Sequence, residues 1–264
     1  MEPLVTVLMP VYNGARYIRE TIDSILNQTY TNFEFLIIDD ASTDNTLDII
    51  ASYNDNRIVV ARNEHNSKIV YTMNKGIQLA KGEFIARMDA DDIALPQRLE
   101  KQAKYLVAHP EVSMVDVIME LIDENGVSLN AYNSDVTSDE GILHAMTKAN
   151  CMGHSSVMMR TSDYRAYMYR NIYYEDDDLW LRILNDHKKI HKIAEPLLLY
   201  RIHSGSIMNK DQKKNQALLK VIKTRWFYYK NLRFTDKFRS FNLKVLYWIF
   251  VHLGVLQYKK LVKK

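Results

Sequence analysis

The sequence has a single cysteine, Cys151, which excludes an intrachain disulfide framework and a multi-cysteine zinc site. A lone thiol of this kind suits a reducing compartment and reads as a buried structural side chain. Long hydrophobic runs are missing as well. No apolar stretch approaches the roughly 18 to 20 residues that span a bilayer; the one from Val245 to Val251, closed by His252, is the longest near the C-terminus. The start of the chain lacks the positive charge and small-residue cleavage site of a secretory signal, since Met1-Glu2-Pro3 passes directly into the apolar residues Leu4 to Met9. There is no internal repeat and no low-complexity tract. These absences point to a soluble or peripheral protein of the cytoplasm, and 264 residues with 47% hydrophobic content suffice for a substantial core.

The net charge of +3 conceals a division along the chain. Residues 213–264 carry 14 Lys and Arg against one acid, Asp236, whereas the remainder carries 21 against 31. A basic terminal segment seeks a polyanion or an anionic membrane, and an acidic body suits a cation site. Trp226, Tyr229, Tyr247, Trp248 and Phe250 are interleaved with the basic residues, a mixture that fits helices lying at a bilayer interface. A helical pair packed on the body with a solvated basic face has the same composition. An anionic membrane surface is the partner expected for residues 213–264, on the inner face of the cell membrane; nucleic acid is not.

The first hundred residues alternate short apolar runs with helix-like stretches. Strands are expected over residues 4–9, 33–38, 58–61 and 83–88, and helices over 15–27, 43–53 and 68–80. Such alternation argues for an α/β fold with a mostly parallel sheet covered on both faces. Further on, helices are expected over 97–108, 139–149 and 177–186, strands over 112–122, 155–160 and 190–200, and a polar connection over 130–138. From about residue 206 the chain reads as basic helix. Three units follow: 1–100 and 101–205 as two halves of one domain, and 206–264 as a helical basic segment.

Ligands on such sheets bind in the crevice beyond the strand C-termini. Here the strands run into Pro10-Val11-Tyr12-Asn13-Gly14, Asp39-Asp40-Ala41-Ser42 and Asp89-Ala90-Asp91-Asp92. Three carboxylates within four positions repel one another unless a proton or cation compensates. Oxygen ligands without cysteine or histidine neighbours favour Mg²⁺ or Mn²⁺, ions that also bridge diphosphate oxygens. A helix-capping loop before Pro96 uses one aspartate and leaves two unexplained. The second acidic run, Glu175-Asp176-Asp177-Asp178, stands at the start of an expected amphipathic helix, where the helix dipole alone favours acids. It also supplies a carboxylate suited to proton abstraction, beside Tyr173, Tyr174 and Trp180, aromatic residues suited to packing on a sugar ring.

At this point the sequence resembles glycosyltransferase family 2, inverting enzymes with a GT-A (Rossmann-like) fold, of the kind that builds bacterial surface polysaccharides. The resemblance rests on Val7-Leu8-Met9-Pro10-Val11-Tyr12-Asn13-Gly14, Ile25 to Tyr30, Phe35 to Asp44, Asn74-Lys75-Gly76-Ile77, Asp89 to Asp92, Glu175-Asp176 with Leu179-Trp180, and Tyr200-Arg201-Ile202-His203. It spans about residues 4–205 in consistent order.

The resemblance implies roles that spacing does not assign. Pro10, Val11, Tyr12 and Asn13 would meet the nucleoside, with Asp40 as partner of the base; Asn74, Ala90, Glu175 and Trp180 belong to the substrate site. Asp91 would hold the metal, with Asp89 shared between ribose and metal, and His203 would reach the metal or the diphosphate. Asp176 would be the general base, with Asp177 as the alternative one residue on, and His154 matches a polar turn near donor or acceptor. Ala41 stands where the family commonly has glycine. The implied reaction transfers sugar from a nucleoside-diphosphate sugar, UDP-linked above others, to a hydroxyl of a saccharide or lipid-linked glycan. Two rivals are a sugar nucleotidyltransferase and a noncatalytic carbohydrate-binding relative. The first needs a Gly-rich, basic triphosphate loop after the first strand, and residues 10–14 are a poor version of one. The second is at odds with two intact acidic clusters.

Overall fold

In the computed structural model the described residues are 2–133, 136–146, 150–172, 174–203, 226, 243 and 246–255. Most of the basic segment, Tyr173 and the last three residues of the helix expected over 139–149 lie outside them. The first half follows the sequence expectation, with element ends displaced by no more than a turn. Its elements are β1 (Val5–Val11), α1 (Ile18–Leu26), β2 (Phe33–Asp39), α2 (Thr46–Ala51), β3 (Ile58–Arg62), α3 (Lys68–Leu79) and β4 (Phe84–Arg87).

The second half is more finely divided than its hydrophobic pattern suggests. It contains β5 (Ile93–Ala94), α4 (Arg98–Ala108), β6 (Val112–Ile122), β7 (Ser128–Tyr132), α5 (Asp139–Met146), β8 (Met158–Arg160), α6 (Thr161–Tyr167), α7 (Glu175–Asn185) and β9 (Lys189–Arg201). Part of the expected polar connection is β7, a largely exposed strand that leaves no burial pattern to read. The short helix α6 follows β8 without a break, so no turn signal marks it.

The nine strands among the described residues join one sheet, in the order β3-β2-β1-β4-β8-β6-β9-β5, with β7 added on β6. The first four strands pair in parallel. The second half is mixed: β8 runs antiparallel to both β4 and β6, β6 is parallel to β9, and β5 and β7 are antiparallel to their neighbours. The β4–β8 pairing carries the sheet from one half of the chain to the other.

Side chains alternate across β1 with the period of two that a strand imposes. Val5, Val7, Met9 and Val11 enter one core with Ile18, Ile22 and Leu99 of α1 and α4. Leu8 enters the other, with Met73 and Ile77 of α3 and Leu179 and Trp180 of α7. The sheet therefore has helices on both faces. Within the Asn74-Lys75-Gly76-Ile77 segment the glycine is a packing residue, because a Cβ on Gly76 would stand 2.3 Å from Leu8 Cδ1.

Gly82 leads into β4, the strand that ends at the aspartate cluster. A Cβ there would stand 2.4 Å from the Thr6 backbone nitrogen and 2.8 Å from the carbonyl oxygens of Leu4 and Phe84. Backbone on both sides gives such a methyl group no room. Gly82→Ala is expected to destabilise the protein by about 1–3 kcal/mol, the usual cost of overpacking, read as a lower midpoint in urea unfolding. An unchanged midpoint would show that β1 and β4 can part at this position.

Candidate active site

Because β1, β2 and β4 are parallel and in register, Val11 beside Asp39 and Leu8 beside Arg87, the loops that follow them open on one edge. The first two loops are stitched together. Backbone N–H groups of Asn13, Gly14 and Ala15 donate to Ser42 Oγ (2.9 Å), Thr46 Oγ1 (2.9 Å) and Asp44 Oδ2 (3.1 Å), and Thr43 N donates back to Asn13 Oδ1 (2.8 Å). Asn13 and Ala41 hold φ values of 53° and 64°. A side chain at Ala41 is strained in that left-handed region, where glycine is at ease, so this departure carries a physical cost. Pro10 and Val11 are buried and Tyr12 is about half exposed, which makes Tyr12 the aromatic ring presented at the end of β1.

Asp40 is buried and already engaged. Its carboxylate accepts hydrogen bonds from Asn63 Nδ2 (2.7 Å), Ser67 N (2.8 Å) and Lys68 N (2.9 Å), closing the loop between β3 and α3. Asn74 joins two distant segments of the chain. Both ends of its amide are taken by one residue, Nδ2 donating to the Tyr169 carbonyl and Oδ1 accepting from the Tyr169 amide, each at 2.8 Å. It clamps α3 to the segment after α6.

The third loop gathers charge. Asp89, Asp91 and Asp92 each offer an oxygen, all within 4.8 Å of one another. Asp89 forms an ion pair with the buried Arg87, and Asp91 Oδ2 lies 2.9 Å from His203 Nε2. Asp92 is fully buried; one oxygen accepts the Arg201 backbone N–H at 2.9 Å, and the other, Oδ2, has no hydrogen-bond partner. Burial, then the charge of Asp89, pushes the Asp91 carboxyl above the usual range. Burial together with Asp89 and Asp91 drives Asp92 further up. Three hard oxygen donors, one of them an orphaned buried atom, fit a divalent cation such as Mg²⁺ or Mn²⁺.

Arginines back this cluster. Arg201 donates from Nε to the Asp91 carbonyl (2.9 Å), from one terminal nitrogen to the Glu124 carbonyl (3.2 Å) and from the other to Glu20 (2.6 Å), with its guanidinium 4.7 Å from the centre of the Tyr17 ring. Arg98, fully buried at the start of α4, donates to the Arg87 carbonyl at 2.6 Å. Burial lowers its pKa to about 10, against the pull of Asp92 and Asp116. Burial also works against the charge on Arg87, but Asp89 outweighs it and the net shift is upward. Arg87 and Arg98 were not among the expected site residues. An arginine in the otherwise apolar strand Phe84-Ile85-Ala86-Arg87 was the available signal; Arg98 has the appearance of an ordinary helix-surface residue.

The second acidic run opens α7 with Glu175, Asp176, Asp177 and Asp178 in its first turn. Asp178 is consumed by Arg182 Nε at 2.8 Å. Asp176 accepts a hydrogen bond from Asn150 Nδ2 at 3.1 Å. Burial raises its pKa, opposed by backbone hydrogen bonds and by Arg87. Glu175 is raised too, by burial, then by Asp176, with Arg87 opposing and Asp89 adding. Those mutual influences put the head of α7 beside the aspartate loop.

One aromatic expectation changes. Trp180 has no exposed surface and belongs to the core between sheet and helices, so its ring has no face for a sugar. Helical spacing groups it with the buried Ile183 and Leu184, three and four positions further along α7. His154 lies 6.1 Å from Trp180, ring to ring, and shares a hydrogen bond of 2.8 Å between Nε2 and the Tyr169 hydroxyl. Burial, then Arg87, holds its pKa well below the usual value, so the ring is neutral.

Glycosyl transferase family 2 matches residues 6–170 of the chain. An uncharacterized glycosyltransferase of Methanocaldococcus jannaschii, MJ1057, is 34% identical over 85% of the chain and 80% of its own length. An Escherichia coli UDP-Glc:alpha-D-GlcNAc-diphosphoundecaprenol beta-1,3-glucosyltransferase, WfgD, is 31% identical over 69% and 70%. Among solved structures, Staphylococcus aureus TarS residues 1–349 with UDP-GlcNAc superposes with a TM-score of 0.74 at 19% identity, covering 93% of this chain and 71% of that one. The mannosyltransferase PcManGT of Pyrobaculum calidifontis, with GDP-Man and Mn²⁺, gives 0.67 at 16% identity, covering 97% and 75%. The fold is thus that of these GT-A enzymes, and the chain belongs to glycosyltransferase family 2.

Proposed function

We propose that this chain is an inverting transferase that moves a sugar from a UDP-sugar to a hydroxyl of a saccharide or lipid-linked glycan, in cell-surface polysaccharide or glycolipid synthesis. The observation that carries this reading is the Asp89–Asp91–Asp92 cluster at the end of β4, with the Asp176 carboxylate close by. WfgD, which uses UDP-Glc and a diphosphoundecaprenol-linked acceptor by its name, supports the choice of donor and acceptor class.

Asp91, Asp92 and Asp89, with His203 at the rim, are the residues that would hold Mg²⁺ or Mn²⁺. Such an ion neutralises charge that develops on a leaving diphosphate. Tyr12 and Asn13, with Pro10 and Val11 behind them, would border the nucleoside, and Ala90 the ribose. Asp40 would meet the base, since a carboxylate accepts about four hydrogen bonds and three are in use here. Asp176 would accept the proton of the acceptor hydroxyl, whose oxygen then attacks the anomeric carbon opposite the departing diphosphate. A carboxyl with an upward-shifted pKa is a stronger base than an exposed aspartate, and general base catalysis contributes about 10²–10⁴-fold.

A thermal-shift screen of nucleotide sugars with Mn²⁺ tests the donor. UDP-glucose or UDP-GlcNAc is expected to raise the melting temperature. Asp176→Asn should keep that shift while turnover falls by about 10²–10⁴-fold. Pyrophosphate release from UTP and a sugar 1-phosphate, or undiminished turnover in Asp176→Asn, would contradict the assignment.

We further propose that the C-terminal segment rests on an anionic bilayer beside this site. No helix among the described residues is long and apolar enough to cross a membrane. The described helix over residues 246–255 turns Ile249 into the core, 5% exposed, and leaves Tyr247 and Phe250 outward at 61% and 70%. Outward aromatic rings in a strongly basic segment suit an interface with acidic lipids. Flotation with vesicles of phosphatidylcholine and phosphatidylglycerol is expected, weakened by more than about tenfold in Tyr247→Glu/Phe250→Glu. Equal binding by that variant, or by neutral vesicles, would rule out this surface.

A further inference from the structure

The loop over residues 150–156 is fastened to the sheet by groups that the transfer reaction does not use. Lys192 on β9 and Asp116 on β6 form an ion pair of 3.1 Å with both side chains fully buried. Lys192 Nζ also donates to the Cys151 carbonyl at 2.7 Å. Asp116 accepts from the Ser156 hydroxyl, and Gln102 Nε2 donates to the Ser156 carbonyl at 2.8 Å. A buried ion pair costs desolvation that hydrogen bonds at its remaining positions must offset. Here those bonds go to the two ends of one loop, which fixes it against β6 and β9.

Asn150 heads that loop, and its side-chain amide is divided between two partners. Oδ1 accepts the Met152 backbone N–H at 2.9 Å, which sets the direction of the amide, and Nδ2 donates to Asp176 Oδ2 at 3.1 Å. We propose that Asn150 is a positioning residue for the general base, carrying the rigidity of the Lys192–Asp116 pair to Asp176 and singling it out from the three consecutive aspartates. This rests on the reading of Asp176 as base. Asp178 is already tied to Arg182, and the Asn150 amide meets Asp176 in the first turn of α7.

The electrostatic sign follows from the geometry. An amide N–H given to a carboxylate stabilises its charged form. Around Asp176 stand Glu175 on its own helix, Arg87 from β4, the Tyr169 hydroxyl from the segment after α6, and Asn150. Removing the Asn150 donor leaves burial less opposed, so the Asp176 carboxyl takes its proton at higher pH.

The test is a carbon-13 NMR titration of the aspartate carboxyls in the full chain, with the Asp176 signal identified by its loss in Asp176→Asn. Its midpoint is expected to rise in Asn150→Ala and further in Asn150→Asp, which keeps the acceptor for Met152 N while replacing the donor with a charge. With the nucleotide sugar that stabilises the protein, kcat of Asn150→Ala should fall about tenfold, the worth of one hydrogen bond to a charged group, with donor KM within about twofold. Equal midpoints in wild type and both variants would overturn the positioning role. Asp176→Asn that still turns over would overturn the base reading itself, even where the midpoints move.

Discussion

Three carboxylates held within 4.8 Å of one another at the end of a buried strand are the constraint to which much of this structure answers. Like charges at that separation repel strongly once water is excluded. The protein meets part of the cost with arginines: Arg87 pairs with Asp89, and Arg98 lies buried behind the loop. Arg201 ties the loop backbone to Glu20 and to the carbonyl of Glu124. Asp92 Oδ2 nevertheless has no hydrogen-bond partner, and Asp91 and Asp92 are pushed toward their protonated forms. A divalent cation held here would remove the repulsion and the orphaned atom together.

The mixed second half of the sheet serves the same spot. Strand β9 pairs in parallel with β6 along most of its length and antiparallel with β5 near its end, and it delivers Arg201 and then His203 to a loop more than a hundred residues earlier in the sequence. The β6–β7 turn reaches the same place, since Glu124 meets both Arg201 and Arg16. The loop after β4 and the head of α7 act on one another electrostatically, through Arg87 and Asp89 on Glu175 and through Arg87 on Asp176.

The parallel half was legible because its strands end in polar residues and its helices repeat with a clear period. The aspartate loop was legible for the same reason: apolar residues 84–86 run almost directly into it. Trp180 misled because an aromatic residue near acids suggests a sugar platform, whereas its helical spacing turns it into the core. The amide of Asn74 also serves the backbone of a distant segment, Tyr169, a contact that its motif does not announce. Asn150, Arg98 and the Lys192–Asp116 pair left no local signal. Their meaning arises from contacts across 26, 11 and 76 positions of sequence, which no periodicity encodes.

The cation site is most directly tested by electron paramagnetic resonance of Mn²⁺, whose free aquo signal disappears on binding. Titrating wild-type protein into Mn²⁺ should remove one equivalent of the signal per chain, and Asp91→Ala and Asp92→Asn should each leave most of it in place. A signal untouched by the wild-type protein, or removed equally by both variants, would contradict a cation held by the aspartates at the end of β4.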